Sequence, residues 1–113
     1  MEIKSEVHSD IGVITLKGKL MGLPHTEVLN EEVKKLMKQD IKKIVLDLHD
    51  VDWINSSGIG AIMRSFISVK NIVGELRLAR ISAKVADVLD ITDLIKIFNP
   101  CDSIDEAIES LKE

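Results

Sequence analysis

The sequence predicts an α/β fold: a mixed central β-sheet of about four to five strands with four helices packed against it. Three observations lead to this prediction. Short segments near the start of the chain alternate apolar and polar residues, a continuous apolar run of strand length lies in the middle, and segments with helical spacing separate the strands. Such alternation favours a sheet covered by helices, with largely parallel strands joined by right-handed crossovers.

Five segments have the pattern of β-strands. Residues 2–7 (EIKSEV) and 12–18 (GVITLKG) alternate and predict an antiparallel hairpin, whereas the apolar run 42–48 (KKIVLDL) is typical of a central strand. Residues 75–82 (ELRLARIS) alternate again and predict a further strand. The last strand is predicted at residues 94–98 (LIKIF).

Four segments place apolar residues on one face of a helix. They are residues 26–37, 59–73, 83–91 and 103–113. The last begins with a serine and a glutamate three residues apart, which is the pattern of a capping box. The sequence therefore predicts the order β-β-α-β-α-β-α-β-α.

Length and composition limit the classes of function. The 113 residues suit one domain, residues 1–113, and the net charge of −4 argues against direct nucleic-acid binding. No apolar run approaches the roughly 20 residues that span a bilayer, and the first residues lack the apolar core of a signal peptide. Cys101 cannot form an internal disulfide because it is the sole cysteine. We therefore expect a cytoplasmic protein, without membrane contact, that is a monomer or a weak dimer.

The segment DVDWINSSGIG, residues 50–60, raises the question of function. Asn55, Ser56 and Ser57 are all good N-cap residues, which accept hydrogen bonds from N–H groups left unpaired in a first helical turn. The glycines that follow allow a close approach to the preceding strand. Capping alone is sufficient to explain both serines.

An enzymatic role for these serines lacks support. The nucleophile elbow G-x-S-x-G fails because Ile54 and Asn55 replace its first glycine around Ser56 and Ser57. The three histidines show no pattern that would supply a base, and a serine without a base is a poor nucleophile. Neither G-x-G-x-x-G nor G-x-x-x-x-G-K occurs. We expect no catalytic residue and no cofactor.

A third interpretation makes a serine the substrate of another enzyme. A serine on a loop before a helix is accessible to a kinase, and a helix N-terminus favours an anion. Phosphorylation adds about −1.5 to −2 charges at neutral pH. On a binding surface, that charge would expel a partner packed there.

Four segments resemble the STAS domain family of bacterial anti-sigma factor antagonists. Residues 44–63 (IVLDLHDVDWINSSGIGAIM) resemble its strand, loop and Asp-Ser-Ser-Gly-Leu-Gly helix start, and residues 12–20 (GVITLKGKL) its second strand. Residues 74–98 resemble its later strand, helix and strand, and residues 103–111 its last helix. The resemblance covers nearly the whole chain in the right order and implies a single STAS domain.

The resemblance also implies a function. Family members bind an anti-sigma factor that is a serine kinase and thereby free the sigma factor. The kinase uses ATP to phosphorylate the second serine, here Ser57; the phosphorylated form dissociates and a serine phosphatase resets it. The expected partner-binding residues are Asn55, Ser56, Ser57, Gly58, Ile59, Gly60, Met21 and Arg64.

Two positions depart from the family pattern. Asn55 replaces the usual aspartate, which keeps the capping geometry but removes a charge beside Ser57. Met21 stands where an aspartate is common. Met21 and Leu23 either form an apolar binding surface or enter the core, and we favour the core for Leu23. These departures keep open a rival interpretation, a STAS-type sensing or scaffolding module that is never phosphorylated.

Several other residues near the motif have competing interpretations. Trp53 is expected in the core rather than at a partner surface. Asp47, Asp50 and Asp52 are expected to be solvated acids rather than metal ligands, and we expect no metal. Arg64 is expected on the surface, where it would be free to pair with a partner carboxylate or with phosphate on Ser57.

Overall fold

The structure, a computed structural model, describes residues 1–112 as one four-stranded sheet with five helices. The strands are β1 (Glu2–His8), β2 (Ile11–Leu20), β3 (Lys43–Ile54) and β4 (Glu75–Ala79). The helices are α1 (His25–Lys38), α2 (Ser56–Asn71), α3 (Ala83–Ile91), α4 (Ile95–Phe98) and α5 (Ile104–Leu111). The predicted α/β class and mixed sheet are confirmed, with one helix more than expected.

The strand order in the sheet is the order along the chain, β1-β2-β3-β4. β1 and β2 form the predicted antiparallel hairpin, in which His8 pairs with Ile11 across a two-residue turn. β2 pairs with β3 and β3 with β4 in parallel, so a helix connects each of these pairs. The carboxyl ends of β2 and β3 therefore meet at the same edge of the sheet.

Apolar residues cover both faces of the sheet, as expected for parallel strands. On one face, strand residues such as Ile14, Leu46 and Leu78 pack with helix residues such as Leu29 and Ile62. On the other face, a smaller cluster joins the strands to α5 and consists of Ile11, Val13, Val45, Ala79, Ala107 and Leu111. The two clusters alternate along β2 and β3 because successive strand side chains point to opposite faces.

The predicted last strand at residues 94–98 is wrong. This segment holds the short helix α4, and Phe98 packs edge-on against Phe66 of α2, with ring centroids 5.4 Å apart. A short apolar run fits either a strand or a buried helical turn, and the aromatic contact with α2 favours the helix. The outer edge of β4 instead meets Cys101, whose N–H donates to the carbonyl of Leu78 at 2.8 Å.

β3 is longer than the sequence indicates. It continues through residues 49–54, which lie beyond the predicted strand, and stays paired with β2 up to the pair Leu20 and Ile54. Two register shifts accompany this extension, and each places one extra residue in β3 relative to β2. Among residues 1–112, no helix is both long enough and apolar enough to cross a bilayer.

Candidate functional site

The candidate site lies where α2 begins, at the carboxyl ends of β2 and β3. Leu20 and Ile54 pair as the last residues of these strands. Met21 follows directly after the first, and Asn55 to Ser57 follow directly after the second. Two segments that are more than 30 residues apart in the sequence are thus brought together by parallel strand pairing.

Asn55 provides the side-chain cap of α2. Its backbone is extended, and its Oδ1 accepts a hydrogen bond from the N–H of Gly58 at 3.1 Å. Ser56 and Ser57 are the first two residues of the helix, and both are exposed. Since Asn55 already performs the capping, the interpretation of both serines as caps is not needed to explain the fold.

Replacing Asn55 tests this assignment of the cap. We expect Asn55→Ala to lower the free energy of unfolding by about 1 kcal/mol, because the N–H of Gly58 loses its acceptor. Asn55→Asp keeps the acceptor and places a negative charge at the helix N-terminus, for a gain of about 0.5 kcal/mol. Urea unfolding measures both. Ser56→Ala is the matched control, and a loss equal to that of Asn55→Ala would mean that the serine is the cap.

Gly58 allows α2 to start against the end of β2. A Cβ atom at this position would lie 2.7 Å from Cγ1 of Ile54 and closer still to the carbonyl oxygen of Leu20. Gly60 differs, because a Cβ there would meet only Nη1 of Arg64, at 3.3 Å. The first glycine therefore sets the distance between the helix and the strand, whereas a methyl group at the second would meet only the end of a flexible side chain.

Three large apolar side chains near this site are exposed to solvent. The exposed fraction is 41% for Met21, 73% for Leu23 and 45% for Trp53. The predictions that Leu23 and Trp53 enter the core are wrong. Because β3 remains a strand through Ile54, which is buried, the preceding Trp53 points to the opposite side. There, Nζ of Lys84 lies 4.7 Å from the centroid of the indole ring.

A hydrogen-bond network joins α1 to α2 beside the site. Nδ2 of Asn30 donates to the carbonyl of Ala61 at 3.0 Å and to Oγ of Ser65 at 2.7 Å. Nε of Arg64 donates to Oδ1 of Asn30 at 3.3 Å, and the rest of this side chain is exposed, as expected. Asn30 was not predicted from the sequence, because a polar residue beside an apolar one is ordinary in an amphipathic helix.

The three acids before the motif are in different environments. Asp50 and Asp52 are exposed, as expected, but Asp47 is buried at 1% exposure, so its assignment as a solvated acid is wrong. Both of its oxygens accept hydrogen bonds from Arg80, at 3.0 and 2.7 Å. This pairing raises the pKa of the Arg80 guanidinium. The ion pair links the middle of β3 to the residue after β4.

The residues expected to bind a partner include exposed residues and the buried residues beside them. Asn55, Ser56, Ser57 and Met21 are exposed, whereas Gly58 and Ile59 are buried and Gly60 is half-buried. Gly58 and Ile59 thus support the exposed residues without being exposed themselves. The exposed part combines two serine hydroxyls at a helix N-terminus with the side chains of Met21, Leu23 and Trp53, a set that we call the switch surface.

Several known proteins are similar to this chain over nearly its whole length. The family model of the STAS domain matches residues 2–107. The anti-sigma F factor antagonist of Paenibacillus polymyxa is 24% identical over 112 residues, which cover 99% of this chain and 96% of that protein. The crystal structure of a candidate anti-sigma factor antagonist from Thermotoga maritima superposes with a TM-score of 0.88 at 25% identity, covering 98% of this chain and 95% of the other.

A further solved structure shares the fold. It is the Bacillus cell fate determinant SpoIIAA in its phosphorylated form, with a TM-score of 0.77 and 19% identity over 98% of this chain and all of that one. The expected fold is thus confirmed by the sheet, by the family match and by the solved structures. The chain belongs to the STAS domain family, among relatives that are anti-sigma factor antagonists.

Proposed function

We propose that this chain is an anti-sigma factor antagonist that binds an anti-sigma factor with serine kinase activity, and that phosphorylation of Ser57 releases the partner. Binding would free the sigma factor for transcription, and a serine phosphatase would restore the binding form. The chemistry at Ser57 belongs to the kinase, so this chain acts by reversible binding.

The observation that carries the proposal is an exposed Ser57 next to exposed apolar side chains. Asn55 already caps α2, so the hydroxyl of Ser57 is not needed for folding. Met21, Leu23 and Trp53 leave apolar area in water at the same edge of the sheet. Exposed apolar area beside a hydroxyl that can be phosphorylated suits a partner-binding surface. The partner would cover this surface when Ser57 is unphosphorylated and dissociate when it is phosphorylated.

Phosphate on Ser57 is compatible with the folded chain. Ser57 is the second residue of α2, where the helix dipole favours negative charge, and the first turn contains no acidic residue. The modification would therefore leave the fold intact and change only the surface. A partner that had packed against Met21 would then face about −1.5 to −2 added charges with their bound water.

Ser57 variants test the switch directly. We expect Ser57→Ala to bind the anti-sigma kinase with unchanged affinity and to accept no phosphate from ATP. We expect Ser57→Asp to weaken binding about tenfold or more, because a charge enters a contact that was neutral. Intact-mass spectrometry after incubation with kinase and ATP measures the modification, and titration calorimetry measures the affinity.

Ser56 supplies the matched control, because it is also exposed and lies one residue earlier in the helix. Ser56→Ala should still gain one phosphate, located at Ser57 by peptide mapping. A kinase that binds the chain yet transfers no phosphate would reject the switch and favour an unphosphorylated sensing or scaffolding module. Asn55→Asp then tests whether the missing negative charge beside Ser57 is the reason.

A further inference from the structure

The outer edge of β1 is an unpaired sheet edge. β1 pairs with β2 along its full length, and within residues 1–112 its other side carries no strand. Its side chains are exposed, apart from half-buried Ile3. Unpaired edges of this length expose a row of N–H and C=O groups that can template pairing with another strand.

The hairpin turn determines which residues present these groups outward. His8 and Ile11 form the pair that closes the two-residue turn, and such a closing pair is a hydrogen-bonded pair, so the N–H and C=O groups of His8 face β2. In an antiparallel pair, alternate residues face the partner strand. Ile3, Ser5 and Val7 therefore direct their N–H and C=O groups to the free edge.

The sequence of β1 is complementary to itself in the antiparallel direction about Ser5. With Ser5 opposite Ser5 of a second copy, Lys4 lies opposite Glu6, Ile3 opposite Val7 and Glu2 opposite His8. Lys4 and Glu6 of each copy then face a residue of opposite charge, Glu2 faces an imidazole that can donate a hydrogen bond to it, and the apolar residues face each other. Cross-strand pairs of this kind stabilise sheets.

Backbone hydrogen bonding agrees with the same register. Ser5, Ile3 and Val7 all face the free edge, so the pairs they form across the two-fold axis are hydrogen-bonded pairs. Lys4 and Glu6 form the pairs without backbone hydrogen bonds, in which the side chains are closer. Backbone geometry thus permits the alignment that the side-chain pairs favour.

The neighbouring registers are unfavourable. A shift that places Lys4 opposite Lys4 also places Glu2 opposite Glu6, and a shift that places Glu6 opposite Glu6 removes both pairs between Lys4 and Glu6. Like charges directly opposite are destabilising. The register centred on Ser5 is also the one that pairs all seven residues of the strand.

We propose that β1 is a homodimerisation edge, at which two copies of this chain pair antiparallel about Ser5 into one continuous eight-stranded sheet. The interaction is isologous, so each favourable pair occurs twice. Because the contact is one strand wide, the dimer is weak and depends on protein concentration. The switch surface at the start of α2 stays open, so the proposal is independent of the phosphorylation switch.

Charge exchange at Lys4 and Glu6 tests the register. Lys4→Glu creates two opposed glutamate pairs and Glu6→Lys two opposed lysine pairs, so each should weaken dimerisation about tenfold or more. The double variant Lys4→Glu/Glu6→Lys restores both attractive pairs and should dimerise like the wild type. Mixing the two single variants should give heterodimers. Sedimentation equilibrium at protein concentrations up to about 1 mM measures each constant.

A disulfide test locates the two-fold axis. In a Cys101→Ser background, Ser5→Cys should form a disulfide dimer on mild oxidation, since hydrogen-bonded pairs place Cα atoms about 5.5 Å apart. Val7→Cys is the matched control on the same face, and its two sulfurs would be about 13 Å apart along the strands. A monomeric wild type at the highest concentration, equal behaviour of the single and double charge variants, or equal crosslinking at both positions would overturn the proposal.

Discussion

Gly58→Ala is expected to destabilise the protein by about 3 kcal/mol or more, the upper range for overpacking a core contact. The added methyl group would meet the carbonyl oxygen of Leu20 and the side chain of Ile54. A backbone carbonyl at the end of a paired strand cannot rotate away as a flexible side chain does. The start of α2 must therefore move away from β2, which also separates Ser57 from Met21.

Gly60→Ala is the matched control, two residues later in the same helix. Its methyl group would meet only the end of the long Arg64 side chain, which can shift by a few tenths of an ångström, and alanine is the better helix former by about 1 kcal/mol. We expect this variant to be as stable as the wild type or more so. Urea unfolding compares the two, and equal stability of both variants would contradict the close approach assigned to Gly58. Partner affinity should fall for Gly58→Ala even under conditions where it is fully folded.

The second large effect on stability is expected at the ion pair between Asp47 and Arg80. Replacing Arg80 should destabilise the protein more than replacing Asp47. Arg80→Ala leaves a carboxylate that is 1% exposed without its bidentate donor, at a cost of about 3 to 5 kcal/mol. Asp47→Asn removes the charge but keeps an oxygen for the N–H groups of His49 and Arg80. The side chain of Arg80 is 37% exposed and can turn to water, so this variant should cost about 1 to 2 kcal/mol.

Thermal and urea unfolding of both variants measure this asymmetry. Arg77→Ala is the control for loss of an arginine, because Arg77 pairs with the more exposed Glu75, at 2.9 Å, and such pairs contribute about 1 kcal/mol or less. Equal losses for Arg80→Ala and Asp47→Asn would show that burial of the carboxylate does not dominate the energetics of the pair.

Sequence patterns predicted the elements whose signals are local. The hairpin, the central strand and the long helices each carry an apolar period over many residues, and the caps of α3 and α5 by Ser82 and Ser103 follow from residue type. Residues 94–98 are too few to define a period. Their helical state depends on the contact of Phe98 with Phe66, which lies 32 positions earlier in the chain.

The candidate site shows a similar division. The position of Asn55, Ser56 and Ser57 at a helix start follows from the local sequence. The exposure of Trp53 does not, because it depends on how far β3 continues beside β2. The burial of Asp47 depends on Arg80, which lies 33 residues later in the chain. Hydropathy alone places tryptophan inside and aspartate outside, and tertiary pairing reverses both.

The exposed indole of Trp53 also makes the chain its own optical reporter. The sequence contains one tryptophan and no tyrosine, so ultraviolet-excited emission in this protein comes almost entirely from that ring. The ring lies one residue before the end of β3, next to the segment that carries Ser57, and under the ammonium group of Lys84. Covering the ring with a partner or shifting Lys84 towards a phosphate would change the colour and intensity of the emission, so an unlabelled sample can show occupancy of the switch surface in real time.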